Sequence, residues 1–183
     1  MGIIVSDQPR CSSPVVIWRK PPPGWVKFGS ARGNLGAAGG GGVCRGERSE
    51  FLFAFHSGYG VDSDTRAELL ANHDGLQHCL LLGYPNILVE FDSLLVINFL
   101  LGRAVPGWKW KCWIDRINHL SKSRNIKFVH TFREGNGPAD ALPKLGREGQ
   151  RMTLVLLHAD LLPTVRGLLF LDRLSLGSVR RGT

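Results

Sequence analysis

The chain has 183 residues, with 23 lysines and arginines against 15 aspartates and glutamates, a formal charge of +8 and a pI near 9.8. That length holds one domain with a real core plus extensions, and that charge favours phosphate backbones or acidic surfaces over neutral small molecules. No apolar stretch is long enough for a spanning helix and the first residues lack a signal-peptide pattern, so neither a spanning helix nor a signal peptide is supported. Cys11, Cys44, Cys79 and Cys112 stand singly, without a Cys-x-x-Cys pair. A reducing, intracellular setting is expected, with nucleus and cytoplasm undivided. Met1-Gly2 fits the short myristoylation pattern, which leaves acylation of Gly2 open.

Residues 1–24 carry Ser12-Ser13-Pro14 and Pro21-Pro22-Pro23-Gly24, a composition of linkers and extended segments. Trp25 to Phe28 reads as a strand that runs at once into a glycine-rich turn region, Gly29 to Gly36 and the glycines 39–42. No Gly-Lys-Ser/Thr follows, so a P-loop is not supported. Val43-Cys44 and Phe51 to Phe55 read as hairpin strands, making the first third an antiparallel meander. A helix follows Asp62-Ser63-Asp64 and stops at Gly83.

On that helix Glu68, Ala71 and Gly75 share one face, so a carboxylate points the same way as two very small residues. It either faces the sheet or favours the helix dipole from the surface. Asn86 to Phe91 reads as a buried strand ending in Asp92, with Ser93 as N-cap of a helix carrying Leu94, Leu95, Ile97 and Leu101. An acid at the carboxyl end of a central strand is where an α/β sheet presents chemistry, unless it only caps the helix. A further helix runs to about Leu120. In it Trp110, Trp113, Ile114 and Ile117 keep core spacing, while Trp108, Lys109 and Lys111 offer an exposed aromatic and basic surface for stacking and phosphate contact. A last strand, Ile126 to Thr131, leads to Arg133 and to a helix opened by Pro138 that carries Asp140. Three acids, Glu68, Asp92 and Asp140, thus lie at element junctions; convergence there would suit hard cations, which take oxygen ligands.

Thr65-Arg-Ala-Glu68, Val89-Glu-Phe-Asp92-Ser93 and Phe132-Arg-Glu-Gly-Asn136-Gly-Pro-Ala-Asp140 together resemble the successive signatures of plant type 1 ribonuclease H domains, related to those of retroelements. With the proline-rich lead into Trp25-Val-Lys27, the resemblance covers roughly residues 18–147. It implies an α/β ribonuclease H-like fold, a five-stranded mixed sheet of three antiparallel then two parallel strands flanked by helices. The implied activity is endonucleolytic cleavage of the RNA strand in RNA–DNA hybrids by two Mg²⁺ or Mn²⁺ ions. Glu68, Asp92 and Asp140 match family catalytic acids and metal ligands, and Asn136 matches the polar residue that supports the site. Arg32, Arg133, Lys109, Lys111 and Trp108 complete the expected substrate-binding set.

The chain departs from the family in one decisive place. Family members carry their first aspartate in a run like Trp-Val-Lys-Leu-Asn-Thr-Asp-Gly-Ser, whereas this chain reads Trp25-Val-Lys-Phe28-Gly29-Ser30, with no acid between Asp7 and Glu47. A three-residue deletion is expected to flip the strand's inward and outward side chains unless the glycines absorb it. Pro143 predicts a short or kinked last helix. His130 falls inside a predicted strand and reads as structural or as a substrate-edge residue. The expected organisation is a linker at 1–24, a ribonuclease H-like domain at 25–147, and an extension at 148–183 with one or two short helices, open to a protein partner. Three functions follow: hybrid cleavage, impaired by the missing acid; nucleic-acid binding without cleavage; or an interaction module in which the tail docks a protein partner.

Overall fold

The computed structural model describes residues 15–32, 38–60, 64–143 and 152–179. The described residues begin with a two-residue strand, β1 (Val15–Val16), then form an antiparallel meander of β2 (Val26–Arg32), β3 (Ala38–Arg45) and β4 (Phe51–Gly60). Helix α1 (Asp64–Leu81) crosses to β5 (Asn86–Phe91), and α2 (Leu94–Leu100) and α3 (Trp108–Ser121) cross to β6 (Asn125–His130). There follow α4 (Gly137–Ala141), β7 (Thr153–Val155), α5 (Pro163–Arg173) and β8 (Ser178–Val179).

The main sheet has the order β6-β5-β2-β3-β4-β7, with β2, β5 and β6 parallel and the other neighbours antiparallel. This is the ribonuclease H-like α/β architecture, with six strands rather than five. The sixth, β7, comes from the segment expected to be helical and pairs along the edge of β4. The rest of that segment gives α5, opened by Pro163 where a missing N–H costs nothing. β8 pairs antiparallel with β1, so the two ends of the described chain meet in a separate two-stranded ribbon.

The glycines 39–42, expected to turn, lie inside β3 because its neighbours need the space. A Cβ on Gly42 would stand 2.5 Å from the Phe28 ring, and one on Gly75 of α1 would collide with the same ring from the other side. Phe28, fully buried, fills the gap between strand and helix and packs beside Phe53 and Phe55 at 6.3 and 6.1 Å between centroids. Ala71 and Leu76 of α1, Val89 and Phe91 of β5, and Ile114 and Ile117 of α3 complete this core, with Trp110 and Trp113 against it. A second core on the opposite face joins Val43 and Ala54 of the sheet to Leu142, Leu161, Val165 and Leu169.

β2 has no bulge at Gly29 that would take up the three missing residues. Pairing with β3 runs unbroken from Lys27↔Arg45 to Arg32↔Gly40, so Phe28 faces α1 and Gly29, Ser30 and Ala31 simply continue the strand. Glycine at 29 and the all-glycine partner stretch at 40–42 make this continuation sterically open.

Candidate nucleic-acid interface

The parallel pair β2–β5 sets the geometry of the sheet end where the acids were expected. Val26 pairs with Ile87 and Gly29 with Glu90, and continuing that register places Ala31 level with Asp92. Alternation puts Lys27, Gly29 and Ala31 on one face, the face on which Lys27 meets Glu90. Ala31 is buried and has no donor atom to offer a cation.

Asp92 sits half-buried just past β5, and Ser93 caps α2 by accepting a hydrogen bond from the Val96 N–H at 3.3 Å. Glu68 faces inward from α1, 4% exposed, with its backbone carbonyl accepting from Asn72. Asp140, in the single turn of α4, pairs with Arg133 at 3.1 Å from Nε to Oδ2. That helix ends at Ala141, short as Pro143 predicts. Asn136 is buried and donates from Nδ2 to the Ser30 carbonyl at 2.7 Å. Its Oδ1 lies 2.5 Å from where a Gly29 Cβ would stand, so the amide of Asn136 clamps α4 onto β2 only because residue 29 is glycine.

The other expected contacts divide. Trp108 is 83% exposed at the start of α3, with the Lys109 ammonium 5.6 Å from its ring centroid. Lys111 pairs with Asp115 one turn on, at 2.7 Å on an exposed face. Trp108, Lys111 and Asp115 border a groove of about 660 Å³ lined also by His73, Arg116 and His119. Arg133 is exposed by about half. Arg32 ends β2, and its side chain lies outside the described residues. His130 ends β6, exposed, with its ring edge-on to Phe132.

A second set of charges was not anticipated. Lys27 and Glu90, each under 10% exposed, form an ion pair at 2.6 Å, and Lys27 also donates to the Arg19 carbonyl. Next to them Arg45 pairs with Asp172 of α5 at 2.5 Å, and its guanidinium lies 3.5 Å from the ring centroid of buried Trp18. Residues 15–24, read from sequence as a linker, thus carry Trp18 into this network. Burial pushes the Glu90 carboxyl above its usual range, with Lys27 and Arg45 opposing; burial likewise lowers Arg45 and raises Asp172. The sequence signal was a lone charge in each of two apolar strands, Val26-Lys27-Phe28 and Val89-Glu90-Phe91.

A family model described as reverse transcriptase-like matches residues 28–146. The chain belongs to the reverse transcriptase-like family. An Arabidopsis thaliana protein named for ribonuclease H is 32% identical over 140 residues, 74% of this chain, which spans 22% of that protein's length. Among solved structures, ribonuclease H1 from the archaeon Halobacterium salinarum NRC-1 superposes with a TM-score of 0.63 at 21% identity, over 67% of this chain and 96% of that one. LC11-RNase H1, solved in complex with an RNA/DNA hybrid, gives 0.62 at 25% identity, over 67% and 96%. The ribonuclease H-like fold expected from the three motifs is therefore established for this domain, within the reverse transcriptase-like family.

Divalent ions are the cofactors the family implies, and the residues here do not fit a pair of them. Two adjacent cations need several carboxylates converging within ligand reach. Here the position level with Asp92 is alanine, Asp140 is engaged by a guanidinium, and Asn136 occupies the space over Gly29. Among the described residues no three of His, Cys, Asp or Glu group closely enough to hold a metal ion.

Proposed function

We propose that this chain is a nucleic-acid-binding ribonuclease H-like domain that holds an RNA–DNA hybrid without cutting it. The observation that carries this reading is Ala31, a methyl group at the level of Asp92 on the neighbouring central strand. A two-ion centre loses its shared ligand there, and the remaining acids are left with other partners or burial. Hybrid as the ligand is supported by the complex of LC11-RNase H1, which shares the fold, and by the +8 charge.

In this reading Trp108 and Lys109 stack on and neutralise one strand, Lys111 adds a phosphate contact, and Arg133 contributes from the sheet end. Asn136 does not touch the ligand; it fixes α4, and with it Asp140 and Arg133, to β2. Residues 25–147 form the binding domain, with Trp18 and α5 bracing the face of the sheet away from α1 and β7 extending its edge.

The test is fluorescence anisotropy with a labelled RNA–DNA hybrid across a salt series, with the same samples then run on a denaturing gel after incubation in Mg²⁺ and in Mn²⁺. Salt-sensitive binding with intact RNA is expected. Cutting that disappears in Asp92→Asn would overturn the non-cleaving half of the reading, and absence of binding would overturn the other half.

A further inference from the structure

The mismatch between the family's metal centre and these residues raises a question of charge. A sheet end carrying Asp92 and Asp140 repels a phosphate backbone unless a cation intervenes. In a metal-dependent relative that cation is divalent; here the structure offers a different one. Arg133 stands in the short turn that leads into α4, seven residues before Asp140, and its Nε lies 3.1 Å from Asp140 Oδ2. The turn is held in place, because Asn136 in its last position is buried and bonded to the Ser30 carbonyl of the central strand. The clamp therefore holds the backbone of the turn, and with it the base of the Arg133 side chain, close to α4 and Asp140.

We propose that Arg133 is the resident counter-cation of this site: its guanidinium does for Asp140 what a divalent ion does elsewhere, so that the domain grips hybrid without divalent cations. The side chains remain 45% and 28% exposed, so the guanidinium is also within reach of solvent and of an incoming phosphate. Guanidinium suits this double duty, since it is always charged and its planar fork serves carboxylate and phosphate alike. This inference rests on the hybrid-binding reading above and adds to it a statement about ion dependence.

The experiment compares hybrid affinity at matched ionic strength in EDTA, Mg²⁺ and Mn²⁺, for the whole chain and for Arg133→Gln, Arg133→Lys and Arg133→Gln/Asp140→Asn. Wild type should bind equally in all three buffers to within about twofold, because no metal takes part. Arg133→Gln should bind about fivefold more weakly in EDTA, the upper scale for an exposed charge pair, and recover in Mn²⁺. Arg133→Lys should keep most of the EDTA affinity, and adding Asp140→Asn to Arg133→Gln should remove the Mn²⁺ response. A merely structural Arg133 would not give that ion-specific pattern.

A second readout needs no nucleic acid. Mn²⁺ should leave the melting temperature of wild type unchanged and raise that of Arg133→Gln, since only a bound ligand stabilises the folded state. Wild type that binds hybrid only with a divalent ion, or that Mn²⁺ stabilises through Asp92, overturns this inference and leaves hybrid binding standing. Wild type that binds hybrid in no buffer overturns the hybrid-binding reading instead, and the melting series then decides the counter-cation by itself.

Discussion

Two ion-pair systems in this molecule use the same functional groups at opposite degrees of burial. Lys27–Glu90 and Arg45–Asp172 lie beneath Trp18 and α5, with three of the four side chains under 10% exposed. Arg133–Asp140 lies at the sheet end with about half of the Arg133 side chain in solvent. Desolvation makes the first system costly to break and hard to replace piecemeal, while solvent makes the second nearly neutral for stability and available to a ligand. The fold thus keeps its strongly coupled charges where they define which segments dock, and its weakly coupled ones at the sheet end proposed to meet the ligand.

Breaking the buried system should produce the largest effect. Glu90→Ala leaves the Lys27 ammonium without its carboxylate in the interior, and a loss of about 3–5 kcal/mol is expected from urea unfolding. Replacing both partners, Lys27→Met with Glu90→Leu, should recover most of that loss, because the isolated charge and not the missing pair is what destabilises. A double variant as weak as the single one would mean that the pair itself, not its desolvation, holds the strands in register.

The next effect comes from adding charge at the other end. Ala31→Asp places a second carboxylate level with Asp92, and like charges at that distance tolerate one another poorly without a cation. A loss of about 1–2 kcal/mol in EDTA is expected, with recovery in Mn²⁺. Melting curves in the two buffers read this directly, and a variant indifferent to Mn²⁺ would show that Ala31 and Asp92 do not face one another.

How much of this was legible in the sequence depends on the range of the interactions. Asn86–Phe91 and the Ser93 cap were readable because the signals are local: an apolar run, a Gly-Tyr-Pro break before it and a hydroxyl placed to accept an N–H. The three carboxylate junctions were readable as motifs, and Glu68, Asp92 and Asp140 do lie at the ends or inner faces of their elements. The glycine-rich strand was not, since glycine locally signals a turn, and only Phe28, Tyr59 and Leu142 arriving from elsewhere explain why 40–42 must lack side chains. Nor was the Arg45–Asp172 pair, which joins residues 127 positions apart through the docking of α5. Asn136 illustrates the middle case: its motif was visible, but its anchoring bond to Ser30 depends on residue 29 being glycine.

Smaller effects sharpen the contrast from the exposed side. Lys109→Ala and Lys111→Ala should each leave stability within about 0.5 kcal/mol of wild type. Each should lower the dependence of hybrid affinity on salt by about 0.7–0.9 in log–log slope. Unchanged slopes would remove α3 from the interface. The smallest expected signal is in pH. Because burial holds Glu90 above its usual carboxylate range, the folded state keeps a proton that the unfolded chain has released. Its contribution to stability therefore grows as pH falls through the raised folded value and is lost as pH rises through it. Glu90→Gln should flatten that part of the stability profile above the ordinary carboxylate range near 4. A variant profile parallel to wild type would place the titration elsewhere.

The most direct test of the central claim is single-turnover incubation of a labelled RNA–DNA hybrid with excess wild-type chain in Mn²⁺, the more permissive ion, beside Asp92→Asn. With Ala31 where a shared ligand would stand, the RNA should remain intact in both; cleavage by wild type that Asp92→Asn abolishes would contradict the account.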